Sequence, residues 1–245
     1  MTEAHKPKQA ATVILLRRTQ SAGFEVFLTR RPQGMAFLGG MYCFPGGTVR
    51  KEDYSASMLR RCFGLTSGQA QKIIGAHFSP KEAMGFWIAG IRELFEEVGI
   101  VLAVAESKDQ SGLAPICQNG LAGQHTALVR KEESFQSILE SKNLLCDASS
   151  LLYFSHWQTP SKQPIRFDTR FFLAILPDAQ LPLGSSPEVV DSLWLTPDRA
   201  LQLLADNKLP MIFPTFSSLR TLADFDSLES LLREYSPEIL DYGSG

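Results

Sequence analysis

Cysteine is scarce in this chain of 245 residues: only Cys43, Cys62, Cys117 and Cys146, in no CxxC or Cys/His spacing. That pattern argues against a disulfide framework and for reduced thiols in a cytoplasmic protein. Histidine is as sparse, and His5, His77, His125 and His156 form no metal-ligand spacing. No apolar run approaches the roughly 20 residues of a membrane span. The start, MTEAHKPKQ, lacks the apolar core of a signal peptide, and the end, DYGSG, matches no short targeting tail. Net charge is nearly absent too. With 24 Lys and Arg against 26 Asp and Glu, the formal charge of −2 provides no field to draw nucleic acid. A chain with neither a nucleic-acid nor a membrane partner is expected; a homodimer is left open.

What remains is ordinary globular composition, 44% hydrophobic and 20% charged. Ala10–Leu16 (AATVILL) and Glu25–Thr29 (EVFLT) read as two strands joined into an antiparallel pair. Glycines and Pro45 then mark tight backbone through Gly47. The stretch Tyr54–Phe78 mixes short helical patterns with glycine. Ile100–Ala105, Leu151–Trp157, Thr169–Leu176 and Val189–Leu195 read as further strands. Between them Ser107–Gly123 reads as loop and Glu132–Lys142 as helix. Pro197–Asn207, Thr215–Phe225 and Ser227–Glu234 are helical candidates. The expectation is one α+β domain over 10–235, between a flexible stretch 1–9 and a tail 236–245.

The clearest element lies in the middle. Ser79-Pro80-Lys81-Glu82 reads as a capping box with proline at the first helical position, and Gly99 as the stop. The helix between them, about Pro80 to Val98, places Glu93, Glu96 and Glu97 at i, i+3 and i+4 on one face. Such stacking is unfavourable, and more so at the negative end of the helix dipole. A divalent cation removes both penalties, and Mg²⁺ or Mn²⁺ prefers hard oxygen ligands. Three glutamates alone are more often a solvated surface. Here the opposite face carries Ile88, Ile91, Leu94, Phe95 and Val98, which would anchor the helix. Arg92, four residues before Glu96, can pair with a carboxylate and hold its rotamer.

The string R-E-L-F-E-E-V-G-I from Arg92 to Ile100 resembles the second half of the Nudix box, R-E-U-x-E-E-x-G-U, at every specified position. The first half of that box begins with glycine and has an acid six positions later; Gly47 and Asp53 meet that count, with Asp for Glu. The box allows seven residues between acid and arginine, whereas 38 separate Asp53 from Arg92. An insertion, about 54–78, therefore lies inside the motif. The sequence is in this respect similar to the Nudix branch of the peroxisomal coenzyme A diphosphatases. Further likeness comes from Leu28-Thr29-Arg30-Arg31, Phe37-Leu38-Gly39-Gly40, Trp157-x-Thr159-Pro160, Arg166-Phe167-Asp168-Thr169-Arg170-Phe171-Phe172 and Trp194-Leu195-Thr196-Pro197.

The resemblance implies a Nudix fold, a mixed β-sheet sandwiched between α-helices, with helical insertions. It implies a diphosphatase using Mg²⁺ or Mn²⁺, with Glu93 and Glu97 as metal ligands, Glu96 as a third, and Arg92 beside them. The general base varies within the family and is left unassigned. Glu188 is a candidate base or extra ligand, with a salt-bridged surface glutamate as the alternative. Gly46 and Gly47 would let the backbone approach the helix. Arg30 and Arg31, and likewise Arg166 and Arg170, are candidate phosphate contacts, with an ordinary surface charge as the equal alternative. The implied substrate is coenzyme A or an acyl derivative. ADP-ribose or NADH is the nearest alternative, and a non-catalytic nucleotide-binding regulatory domain the second.

Overall fold

The structure, a computed structural model, describes residues 6–236 apart from 21–22, 36, 107–112, 117 and 185. The ends of the chain beyond these bounds, Cys117 and much of the expected 107–123 loop thus lie outside the described residues.

Strands β1 (Lys8–Arg18) and β2 (Phe24–Arg30) form the expected antiparallel pair, with Leu16 opposite Val26. The two then diverge. Short strands β3 (Tyr42–Cys43) and β4 (Gly46–Thr48), on either side of Pro45, fill the fork. β3 pairs with Thr29 and Arg30, and β4 with Ala10 to Thr12. The insertion follows as α1 (Ala56–Leu59), β5 (Cys62–Phe63) and α2 (Ser67–Ile74). It leads into α3 (Pro80–Val98).

After α3 come β6 (Ala103–Glu106), β7 (Leu113–Pro115), α4 (Ala122–Val129), α5 (Phe135–Ser141) and β8 (Leu144–Asp147). The chain then returns to the main sheet as β9 (Leu152–Gln158), β10 (Phe167–Ile175) and β11 (Asp191–Leu195). Helices α6 (Pro197–Ala205), α7 (Phe213–Leu222) and α8 (Leu228–Tyr235) follow. The main sheet runs β11-β2-β1-β10-β9 and is mixed, because β1 and β10 are parallel.

Both faces of that sheet are covered, which explains why β1 reads as a continuous apolar run rather than an alternating one. Ala11, Val13 and Leu15 face the core that α3 fills. Ile14 and Leu16 face a second core completed by Leu219, Leu222, Leu228 and Leu231 of α7 and α8. This is the sandwich of an α+β Nudix fold.

Helix α3 has the predicted bounds for the predicted reasons. The Ser79 N–H donates to Glu82 at 2.9 Å, and Gly99 closes the helix at φ 73° with its N–H on the Phe95 carbonyl. The expected apolar face, Ile88, Ile91, Leu94, Phe95 and Val98, is in the core, and burial extends beyond it. Fifteen of its 19 residues are buried, including Arg92, Glu93 and Glu97. The carboxylate face meets β4 and the turn Arg50–Asp53 instead of open solvent.

Two corrections follow from short-range chemistry. No strand forms at Ile100–Leu102, because the Val101 N–H and carbonyl are both taken by the Gln180 side chain at 2.9 Å. The strand starts at Ala103 instead. Similarly, α5 starts at Phe135 rather than Glu132, since Ser134 caps it and Lys131 is left-handed at φ 60°. Part of the expected 107–123 loop is β7, a 3₁₀ turn and the start of α4. A second sheet, in the order β5-β8-β6-β7, was not foreseen. Its parallel pair of Cys62 and Phe63 with Cys146 and Asp147 stitches the insertion to the body of the protein.

Candidate active site

The last two turns of α3 carry the site. Arg92 is 3% exposed, and every one of its donors is used. Nε and Nη2 form a fork on Asp53 at 2.7 and 2.9 Å, and Nη2 also reaches the Thr48 carbonyl at 2.9 Å. Nη1 bonds Glu93 at 2.5 Å and Glu96 at 3.2 Å. Burial alone would lower the pKa of this guanidinium, but Asp53, Glu93 and Glu96 outweigh it and hold it charged. Asp53 also accepts from the Arg50 N–H at 2.8 Å, which closes the turn after β4. The two halves of the split motif are thus joined through Arg92 and Asp53, across the insertion.

β4 forms the other wall. A Cβ on Gly47 would lie 2.5 Å from Cδ of Glu93, and one on Gly46 would lie 2.4 Å from the Ala11 carbonyl oxygen. No larger residue fits between β1 and α3 here. The Gly46 N–H donates to Glu97 at 3.3 Å. We therefore expect Gly47→Ala to displace Glu93 while leaving the sheet intact. Overpacking of this kind costs about 1–3 kcal/mol, and the predicted signature is a loss of kcat far larger than the change in melting temperature. A variant with wild-type kcat would show that the close approach is unimportant.

The acids are unevenly matched by cations. Burial pushes the Glu93 carboxyl up, against the pull of Arg92. Burial pushes Glu97 well above the ordinary carboxylate range, helped by the charges of Glu93 and Glu188 and only partly offset by Arg31 and Gly46. Glu96 is the outermost of the three; both of its oxygens are held at 3.0 Å by Arg50. These groups line a cavity of about 730 Å³ whose far side is the α4–α5 turn, with Lys131 and Phe135.

The other candidates separate. Glu188 is exposed, lines the same cavity, and has no ion pair among the described residues. Arg31 acts electrostatically on Glu97, and its Nε is buried without a hydrogen-bond partner among the described residues. Arg30 packs its guanidinium 5.7 Å from the Tyr42 ring centre and donates to the Gly40 carbonyl, away from the cavity lining. Arg166 donates to the Thr159 carbonyl. Arg170 is a correction: it is 1% exposed, bonded to Asp168 and stacked on Phe78 and Phe86, and so is out of reach of a phosphate.

Two residues near the acids escaped the sequence reading. Arg50 lies between Gly47 and Asp53, and its charge inside that half-motif was the available signal. His125 meets the Glu96 carbonyl at 3.1 Å from α4, a helix that was itself missed.

A divalent cation fits this donor set. The carboxylates are hard donors, largely buried and in excess of their counter-charges. Among the described residues no three His, Cys, Asp or Glu side chains are gathered closely enough to hold a metal ion by themselves. Mg²⁺ is commonly bound by one or two carboxylates together with waters and substrate phosphates.

A mixed sheet between helices, with buried glutamates on a helix locked to a glycine turn, defines a Nudix hydrolase, an enzyme of diphosphate bonds. The crystal structure of a NUDIX hydrolase from Alicyclobacillus acidocaldarius matches with a TM-score of 0.75 and 26% identity, over 93% of this chain and 96% of that one. More narrowly, the chain belongs to the NUDT19 Nudix domain family, whose model matches residues 7–222. Its relatives include the acyl-coenzyme A diphosphatase NUDT19 of Xenopus laevis, 26% identical over 91% of this chain and 71% of that protein. The protein of the same name from Gallus gallus is 26% identical over 96% of this chain and 72% of its own length.

Proposed function

We propose that the protein hydrolyses the diphosphate bond of coenzyme A or an acyl-coenzyme A, using Mg²⁺ or Mn²⁺. Water attacks one phosphorus, the bridging P–O bond breaks, and the products are 3′,5′-ADP and 4′-phosphopantetheine or its acyl derivative. One observation carries the chemistry: Glu97 is a buried carboxylate beside two other acids, with a single backbone N–H at 3.3 Å for support. Such an arrangement is costly unless a cation completes it. The relatives named above support the substrate.

In this reading Glu93 and Glu97 hold the cation and Glu96 is the third ligand. The bound cation would stabilise charge on the diphosphate and lower the pKa of a water. Arg92, with no donor to spare, orients Glu93 and Glu96 and does not touch substrate. Glu188, which lines the cavity and whose charge acts on Glu97, is the candidate to take a proton from water or to add a ligand. Neither strand-end arginine lines the cavity; Arg31 is the stronger candidate for a phosphate contact because its charge acts on Glu97. The free thiols of Cys43, Cys62 and Cys146 support a reducing compartment such as the cytoplasm. Among the described residues no helix is long and apolar enough to cross a membrane.

The test is a product panel with Mg²⁺ or Mn²⁺ on coenzyme A, acyl-coenzyme A, ADP-ribose, NADH and nucleoside triphosphates. Coenzyme A compounds are expected to have the highest kcat/KM. Faster cleavage of ADP-ribose or NADH would reassign the substrate. No turnover on any of them would favour a binding module, a reading that the retained glutamates oppose.

A further inference from the structure

Arg50 has no assigned role, and its position is unlike that of Arg92. Arg92 is sealed in, with all donors engaged. Arg50 has a side chain 47% exposed, at the open side of the same carboxylates. Its two terminal nitrogens lie 3.0 Å from the two oxygens of Glu96, and Nη2 is 3.6 Å from Glu93. Its own N–H anchors it on Asp53 at 2.8 Å. The backbone is therefore held, while the head is half-exposed.

The cavity has a charge problem that this placement addresses. Its lining carries eight carboxylates against three cations, Arg50, Arg92 and Lys131. One of the three, Arg92, is spent on Asp53. An anionic diphosphate cannot approach such a wall without added positive charge, yet a divalent cation needs the oxygens of Glu96 that Arg50 now covers. Both cannot sit there together, since like charges a few ångströms apart repel strongly in a partly buried site.

Resting on the diphosphatase reading, we infer that Arg50 is an exchangeable counter-ion. It neutralises Glu96 and Glu93 while the acids lack a divalent cation. It turns to the substrate's diphosphate when a cation takes those oxygens. A guanidinium suits both partners, because its planar fork matches carboxylate and phosphate alike. Arg50 thereby links the two binding events: each makes the other easier, as any shared competitor requires.

This role has a signature that a merely structural one lacks. If Arg50 only held Glu96 in place, removing it would weaken cation binding. As an exchanged competitor, its removal strengthens cation binding and weakens substrate binding. The experiment is calorimetric titration of Mn²⁺ alone into the whole protein, for wild type, Arg50→Gln and Arg50→Lys, with KM and kcat measured separately on coenzyme A. Arg50→Gln is expected to bind Mn²⁺ roughly fivefold more tightly or better, and to raise KM about tenfold, more than it lowers kcat. Arg50→Lys keeps the charge without the fork and should fall between on both measures, which also covers a Gln variant that fails to fold. Weaker or unchanged Mn²⁺ binding, or an unchanged KM, would overturn the inference. A wild type that neither binds Mn²⁺ nor cleaves any diphosphate removes the diphosphatase reading itself, and this one with it. A wild type that does both, with variants that shift neither quantity, removes this inference alone.

Discussion

Glu97→Gln is expected to reduce hydrolysis by roughly three orders of magnitude, within the range for removing a group that works on charge in the transition state. The same substitution is expected to raise the melting temperature of the cation-free protein. Glu97 is buried, and its carboxyl is pushed well above the ordinary range by that burial first and by Glu93 and Glu188 second. A carboxyl raised in the folded state favours folding at low pH. That contribution is lost as pH rises through the folded value, because the unfolded chain ionises earlier and more easily. Glutamine has no proton to lose. The two proteins should therefore melt alike near about pH 4, with the variant pulling ahead toward about pH 8. Each kcal/mol is worth about 2–4 °C in a chain of this size. Added Mg²⁺ should stabilise wild type and leave the variant unmoved. A variant that melts lower than wild type at high pH, or that keeps its activity, would remove Glu97 from the role assigned to it.

Arg92→Ala should be the most destabilising single change in the site. It leaves Asp53, which is 3% exposed, and Glu93, which is 6% exposed, without their main counter-charge. Breaking a buried pair in this way costs about 3–5 kcal/mol, which corresponds to a melting temperature lower by roughly 10 °C. Asp53→Asn keeps one acceptor oxygen, enough for Arg92 Nη2 and the Arg50 N–H, but turns an NH₂ toward Arg92 Nε. It strands no buried carboxylate and should lose less than Arg92→Ala. Thermal melts of the two variants side by side check the order, and a larger loss in Asp53→Asn would reverse it.

Much of this site is legible in the sequence because its signals are local. The α3 boundaries depend on Ser79, Pro80, Glu82 and Gly99, and each acts within four residues of itself. Glu93, Glu96 and Glu97 share a face because of helical spacing alone. Asp53 follows from counting from Gly47, although its partner lies 39 residues further on. What escaped depends on distant partners. β5 is two residues long and exists only because β8 lies beside it. α4 contains Gly123 and has no clear apolar stripe. Arg50 is one arginine among many until the fold sets it on Glu96. Arg170 looks like a phosphate contact in a string of residues, and only the packing of Phe78 and Phe86 over it shows otherwise.

The Arg92–Asp53 fork also bears on how a signature motif tolerates being cut in two. Once both ends of a segment are pinned, the entropy of closing the loop between them grows only with the logarithm of its length. Going from seven intervening residues to 38 costs about 1.5 kcal/mol by that rule, and β5 on β8 returns some of it. The motif is therefore a unit in space rather than along the chain. Its interior can lengthen, shorten or acquire new structure over evolutionary time without disturbing the glutamates, provided the two residues that clasp its ends are kept.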